Sequence, residues 1–148
     1  MKISTKGRYG LRALIYLSLH SNEGQISLIS IANHNQISIH YLEQVFSALK
    51  KAGIVKSVKG AQGGYILGDA PKNITVSQII TSLEGDYTIA REDFDDLSEF
   101  RYISLAIQTK LWDRVNKEME QILRNTTLED LVNEYVSLSQ IGQDMYYI

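Results

Sequence analysis

The sequence predicts a mainly α-helical protein that carries one small β-hairpin. Apolar residues recur at helical spacing through most of the 148 residues, and the chain contains a single proline. Residues 54–67 form the one stretch with strand composition, and they contain several glycines. A chain of this length is long enough for one well-buried core and too short for two full ones.

The first 53 residues predict three helices in succession. The first covers about 5–20, and Ser27 is placed to cap a short second helix, followed by a polar turn at 33–36. Ser38 begins a third helix, which stops at Gly53. The buried side of this helix is predicted at spacing i, i+3, i+4 and i+7, by Leu42, Val45, Phe46 and Leu49. Two short helices joined by a tight turn are typical of a helix-turn-helix, whose second helix enters the DNA major groove.

Residues 54–67 predict two short strands around a glycine-rich turn. The segments 54–58 and 65–67 have strand composition, and the glycines between them supply positive φ angles for the turn. A strand, turn and strand directly after a recognition helix form the wing of a winged helix. These glycines do not match a nucleotide-binding P-loop, because no Gly-Lys-Ser/Thr ending and no immediate helix follow them.

The C-terminal half predicts a fourth helix, an acidic loop and two further helices. Thr75 and Gln78 form a capping box, and Gly85 ends the helix that it opens. Residues 86–99 are acidic and lack periodicity, which indicates a loop. A second capping box, at Thr126 and Glu129, is predicted to begin the final helix.

The helix predicted over about 100–124 carries an apolar stripe along its whole length. Such a helix reaches roughly 37 Å, which is longer than a domain of this size needs internally. An apolar stripe that the chain cannot cover indicates the seam of a two-fold homodimer. The predicted dimerisation residues are Ile103, Ile107, Leu111, Val115, Met119 and Ile122.

Positive charge is concentrated in the N-terminal half. Residues 1–72 carry a net charge of +6, whereas the other residues carry −8. The N-terminal half is therefore the part that faces a polyanion. The first helix begins with Lys6, Arg8 and Arg12, which oppose its dipole. Two interpretations stay open: an anion lies near this helix end, or the charges are solvated.

The sequence lacks the residues that several kinds of site require. Without cysteine there is no thiolate for an iron–sulfur cluster, and no histidine has the i+4 partner of a zinc-binding helix. No nucleophile motif such as GxSxG is present. We therefore expect no enzyme, no cofactor and no metal. No apolar run reaches the ~18 residues of a membrane span and no signal peptide begins the chain, so we expect a cytoplasmic protein.

The polar face of the third helix, together with the wing, predicts DNA contacts. Gln44 suits a bidentate contact with adenine, Glu43 accepts from cytosine N4, and Tyr41 meets a thymine methyl group or a phosphate. Lys59 at the wing tip suits the minor groove or a phosphate. Sequence-independent affinity is expected from Lys6, Lys50 and Lys51. The alternative is that these are ordinary polar residues of a surface helix.

Three segments resemble the Rrf-type family of winged-helix transcription regulators. They are STKGRYGLRAL (4–14), YLEQVFSALKKAGIVKSVKGAQGGY (41–65) and NTTLEDLV (125–132). The resemblance covers nearly the whole chain and implies a homodimer that grips the half-sites of a double-stranded DNA operator. By position, the implied base-facing residues are Ser38, His40, Tyr41, Glu43 and Gln44, with Lys59 and Gly60 at the wing. Lysine at 59 replaces the family's usual arginine, which implies a weaker minor-groove contact.

Within this family, the sequence is most similar to the repressors of cysteine-metabolism genes. Cluster-binding members have three cysteines in the loop after the fourth helix, and residues 86–99 contain none. The opening MKISTKGRYGL, the segment TTLEDL and the ending MYYI match the cysteine-metabolism group. Members of that group act with cysteine synthase, which senses O-acetylserine. The resemblance therefore implies a cluster-free repressor.

The resemblance and the pattern together divide the chain into four parts. These are a winged helix-turn-helix DNA-binding domain (1–85), the acidic loop (86–99), the dimerisation and final helices (100–141) and a C-terminal tail (142–148).

The tail is predicted to bind a partner through Tyr146, Tyr147 and Ile148. Serine acetyltransferase also ends in isoleucine, which fills the active site of cysteine synthase, and Ile148 resembles that residue. The alternative is that the tail packs on the dimer. Two other functions stay open, namely a family member that senses another small molecule near the acidic loop, and an interaction module that no longer binds DNA.

Overall fold

The structure is a computed structural model and describes residues 2–94 and 99–146. It is mainly helical with one two-stranded antiparallel sheet, which confirms the predicted fold class. The helices and strands, in chain order, are α1 (Thr5–Leu19), α2 (Leu28–Asn35), α3 (Ile39–Lys51), β1 (Val55–Val58), β2 (Gly64–Leu67), α4 (Val76–Glu84), α5 (Arg101–Ile107), α6 (Asp113–Asn125) and α7 (Leu128–Tyr146).

One hydrophobic core joins α1, α2, α3, α4 and β1. The α3 residues that the periodicity placed inside are all fully buried. Leu128, the first residue of α7, is also fully buried in this core. The predicted boundary at residue 85 therefore separates proposed functions and not separate hydrophobic cores, because the core continues into α7.

The turn between α2 and α3 consists of residues 36–38. The Ser27 hydroxyl accepts the Ser30 N–H and caps α2, as predicted. α2 continues through Asn35, so the turn begins later than the polar run at 33–36 indicated. Gln36 has a left-handed conformation (φ 54°), which ends the helix and lets the chain bury Ile37.

The wing is attached to the helix-turn-helix by backbone hydrogen bonds. β1 and β2 pair from Val55 opposite Leu67 to Val58 opposite Gly64. Ile26, just before α2, forms a single β-bridge with Tyr65 by exchanging backbone hydrogen bonds of 3.0 and 2.8 Å. Gly64 permits this approach, because a Cβ at that position would lie 2.4 Å from the Ile26 carbonyl oxygen.

α5 and α6 form one continuous helical run, which confirms the long helix predicted over about 100–124. The two parts are joined by a π-helical turn at Gln108–Trp112. A π turn alters the helical register locally, so the apolar stripe shifts around the axis at this point. The sequence pattern did not indicate this turn.

α7 begins at Leu128, one residue later than the capping box predicted at Thr126 implies. The Thr127 N–H donates to Asp130 Oδ2 (2.9 Å), and the Asp130 N–H donates to Thr127 Oγ1 (3.1 Å). The box predicted at Thr126 and Glu129 is therefore wrong. The Thr126 N–H bonds instead to the Ile122 carbonyl oxygen (3.1 Å), so Thr126 ends α6.

The predicted tail is helical over most of its length. α7 continues through Gly142 to Tyr146, so the tail boundary at residue 142 does not mark the end of the helix. One glycine lowers helix stability by about 1 kcal/mol relative to alanine, which does not end a helix when no proline follows. Tyr147 and Ile148 lie outside the described residues. None of the described helices is both long and apolar enough to cross a membrane.

Candidate nucleic-acid interface

The exposed side of α3 carries most of the predicted base-contacting residues. His40, Glu43 and Gln44 are exposed on this helix, with Ser38 at its start and Lys50 in its last turn. The other side of α3 is buried in the core, so these polar groups lie on its solvent side. The 13 residues of α3 form a helix about 20 Å long, and an α-helix has the width that the major groove admits.

Two residues at the start of α3 keep their polar groups available. Ser38 occupies the N-cap position without a capping hydrogen bond from its side chain. His40 Nδ1 lies 3.7 Å from Glu43 Oε2, and both side chains are largely exposed. An exposed pair of this kind contributes little to stability. The side chains of His40 and Glu43, like that of Ser38, can therefore bind another molecule without loss of the fold.

Tyr41 differs from the other predicted base contacts because it is half-buried. Its ring meets the Tyr9 ring edge-on, with centroids 5.6 Å apart. The ring therefore packs α1 against α3, a role that the sequence did not indicate. Contact between Tyr41 and a base stays a prediction.

The wing tip presents Lys59 and Gly60 to solvent. Gly60 has φ 126°, and its carbonyl oxygen accepts the Gly63 N–H (3.0 Å) to close the turn. The Gln25 side chain donates from Nε2 to the Gln62 carbonyl oxygen (2.9 Å) and ties the tip to the segment before α2. Sequence reasoning missed Gln25, because its partner is 37 residues away.

The basic start of α1 has an anion beside it. The carboxylate of Glu84, at the end of α4, accepts the backbone N–H groups of Ser4 and Gly7, each at 3.0 Å. Lys6 is half-buried and Arg8 is exposed in the same turns. An anion therefore lies near this helix end, and it is an internal carboxylate that the sequence analysis did not single out. It bonds to the backbone and to Ser4, and Arg8 is exposed to solvent, so both interpretations hold in part.

The predicted dimerisation stripe is exposed to a large degree in the single chain. Ile103 is 58% exposed, Leu111 46% and Ile122 64%, while Val115 and Met119 are half-buried. Exposed apolar side chains also follow one side of α7, at Leu138, Ile141 and Met145. Rows of exposed apolar side chains along a helix are typical of interaction sites. The dimer itself stays a proposal.

The segment after α4 is tied to the long helix by three side chains at i, i+4 and i+8. Asn116 accepts the Ile89 N–H (2.8 Å) and donates to the Ala90 carbonyl oxygen (3.1 Å). Gln108 accepts the Glu92 N–H (2.8 Å), and Trp112 Nε1 donates to Glu92 Oε1 (2.9 Å).

Beside this segment lies a polar groove of about 380 Å³ between α4 and α6. We call it the α4–α6 groove, and the residues that line it include Tyr87, Arg91, Asn116 and Arg124.

A helix-turn-helix with an exposed polar recognition helix, followed by a glycine-tipped wing, defines the class of winged-helix transcription regulators. The family model described as "Rrf2: Iron-dependent Transcriptional regulator" matches residues 3–134. The chain belongs to the Rrf2 family, which confirms the resemblance seen in the sequence.

The similar proteins are transcription regulators by name. The HTH-type transcriptional regulator CymR of Bacillus subtilis is 46% identical over 133 residues, which is 90% of this chain and 91% of that protein. The HTH-type transcriptional regulator IscR of Erwinia tasmaniensis is 36% identical over 133 residues, covering 90% of this chain and 79% of that protein. The solved structure of CymR, described as the global cysteine regulator of B. subtilis, matches with a TM-score of 0.77 and 45% identity. The aligned region covers 90% of this chain and 98% of the CymR chain.

The family description names iron, but the residues of this chain do not fit a thiolate-bound iron site. The chain has no cysteine. Among residues 2–94 and 99–146, no group of three or more His, Asp and Glu is arranged to hold a metal ion. The backbone of 89–92, in the loop where cluster-binding relatives are expected to carry cysteines, is instead hydrogen-bonded to Gln108 and Asn116.

Proposed function

We propose that this protein is a dimeric repressor of cysteine and sulfur-metabolism genes that binds DNA through α3 and the wing. The observation that carries the proposal is the exposed polar side of α3 beside a basic wing, on a chain 46% identical to CymR. Glu43 and Gln44 read base edges in the major groove, and Lys59 reaches the minor groove or a phosphate. Because the dimer has two-fold symmetry, the operator is nearly palindromic, with half-sites separated by whole helical turns.

The first test replaces one base contact and one phosphate contact. Gln44→Ala is expected to weaken binding to the cognate operator by about 1–3 kcal/mol, because its bidentate contact with a base is lost. Lys59→Ala is expected to weaken all sequences about equally and to lower the salt slope of log K by about 1. The operator is first located by footprinting on genomic fragments. Fluorescence anisotropy at several salt concentrations then measures both effects.

Lys72→Ala is the matched control for Lys59, because Lys72 is an exposed lysine outside the proposed interface. If the Gln44 and Lys59 variants bind the operator as the parent does, the recognition surface has been assigned wrongly.

We also propose that cysteine synthase binds the residues at the end of α7 and thereby links sulfur status to repression. The support is the similarity to CymR and the apolar character of Tyr146, Tyr147 and Ile148. Tyr146 is 88% exposed. Burying a large apolar side chain contributes about 1.5–3 kcal/mol, so three such residues supply a substantial part of a protein–protein contact.

Deleting residues 146–148 is expected to abolish the complex with cysteine synthase, because these side chains supply the contact. Isothermal titration calorimetry of the truncated dimer against purified cysteine synthase measures the loss. A peptide of residues 139–148 serves as a competitor for the full-length protein. Unchanged binding of the truncated protein contradicts the proposal, and its operator binding checks that the fold is intact.

A second candidate function is direct sensing of a small molecule in the α4–α6 groove. The observation in its favour is that the groove is lined by Arg91 and Arg124 together with Asp86 and Glu120. Side chains of both charges suit a small zwitterionic ligand. Operator binding that responds to such a molecule without cysteine synthase distinguishes this function from the first.

A further inference from the structure

We propose that Glu84 is a positioning residue for DNA binding, which holds the start of α1 and its basic side chains in place. The proposal rests on the DNA interface proposed above and adds a residue that does not itself face DNA. Glu84 is the last residue of α4, and it reaches 80 residues back along the chain to Ser4.

One oxygen atom of Glu84 extends the N-terminal cap that Ser4 provides. Oε1 accepts the Ser4 N–H and the Gly7 N–H, each at 3.0 Å, and the Ser4 hydroxyl at 2.5 Å. The Ser4 hydroxyl in turn accepts the Lys6 N–H (3.2 Å). The first turn of α1 contains no acidic residue of its own. Glu84 therefore supplies a second hydrogen-bond acceptor, beside the Ser4 hydroxyl, and the negative charge that a helix N-terminus favours.

Two glycines of α1 make the close approach possible. A Cβ on Gly7 would lie 2.6 Å from Glu84 Oε1, and a Cβ on Gly10 would lie 2.3 Å from Leu83 Cδ1. Glycine is among the least favourable residues in a helix interior, and these two occur three residues apart on the side that meets the end of α4. Because glycine has no Cβ, these two positions let the Glu84 carboxylate and the Leu83 side chain lie directly against the backbone of α1.

The same contact determines where the basic residues of α1 lie. Lys6 and Arg8 are in the turn that Glu84 caps, and the Tyr9 and Tyr41 rings join this part of α1 to the recognition helix. Without the carboxylate, the dipole and two cations repel one another at a helix end that keeps only the Ser4 hydroxyl as a cap. We infer that the end then frays and that Lys6 and Arg8 lose their fixed position for phosphate contact.

The test compares Glu84→Ala and Gly7→Ala with Glu134→Ala as the matched control. Glu134 is an exposed acidic residue of α7 outside the proposed interface, and its removal changes the net charge as Glu84→Ala does. Loss of an acidic charge by itself strengthens attraction to DNA, whereas loss of positioning weakens binding. Gly7→Ala displaces the carboxylate without any change in charge.

Operator binding is measured for each full-length variant as a function of salt concentration. Glu84→Ala and Gly7→Ala are expected to bind about tenfold more weakly, with the salt slope lowered by about 1 to 2, as for the loss of one or two phosphate contacts. Glu134→Ala is expected to keep the slope of the parent. The proposal is overturned if both test variants retain the parent's salt slope, including the case in which they only lose thermal stability. Gln44→Ala is measured alongside, because its effect reports separately on the DNA interface.

Discussion

In sedimentation at micromolar concentration, the Leu111→Glu variant is expected to run as a monomer where the parent runs as a dimer. Leu111 is 46% exposed in the single chain and lies in the middle of the predicted dimerisation stripe. Because about half of this side chain remains to be buried, its burial stabilises a dimer by about 0.7–1.5 kcal/mol per copy. A glutamate would instead bring an unpaired charge into an apolar interface. Two-fold symmetry applies each effect twice.

The consequence for DNA is large, because an operator of two half-sites binds a dimer far more tightly than a monomer. Ile107→Glu is a second variant with the same expected result. Gln121→Glu is the control, since Gln121 is exposed and lies about 100° around the helix from Ile122. A parent chain that sediments as a stable monomer, or a Leu111→Glu variant that stays a dimer, contradicts the predicted seam.

Replacing Phe46 with alanine is expected to lower the free energy of unfolding by about 3–5 kcal/mol. Phe46 is fully buried on α3, and its ring meets that of Tyr65 on β2 with centroids 4.8 Å apart and planes at 63°. Such an edge-on pair adds about 0.5–1.5 kcal/mol to the burial of the rings. The substitution therefore leaves a cavity at the point where the recognition helix supports the wing.

Urea unfolding followed by circular dichroism measures this loss. All variants are compared at one protein concentration, because the proposed dimerisation would contribute to apparent stability. Ser47→Ala is the control, since Ser47 is the exposed neighbour on α3 and a surface change of this kind alters stability by about 0.5 kcal/mol or less. An unchanged urea midpoint for Phe46→Ala contradicts the expected loss.

Features that depend on neighbouring residues were predictable from the sequence. The caps of α2 and α4 were correct, because Ser27 and Thr75 bond to N–H groups three residues ahead. The buried side of α3 was also correct, since helical spacing alone determines which residues share a side. The exposed positions of Gln44 and Lys59 follow from the same local rules.

The errors arose where two local choices were similar in free energy. Adjacent threonines at 126 and 127 are each followed three residues later by an acidic residue, so two capping boxes were possible. Because the Thr126 N–H bonds to the Ile122 carbonyl oxygen, the box forms at Thr127 and Asp130. The predicted tail began at residue 142, but α7 runs through Gly142. The π turn at Gln108–Trp112 contains Gln108, whose side chain accepts the Glu92 N–H in the segment after α4. Helical periodicity in the sequence gives no sign of such a contact.

The sequence by itself determined the family, the order of the elements and the residues that face solvent on the recognition helix, because these depend on spacing and on short motifs. Only the tertiary structure showed that Glu84 caps α1, that Gln25 holds the wing tip and that Ile26 extends the wing. These contacts join residues 37 to 80 positions apart. A hydrogen bond over such a separation exists only after the core has brought both partners together, so no local pattern in the chain records it.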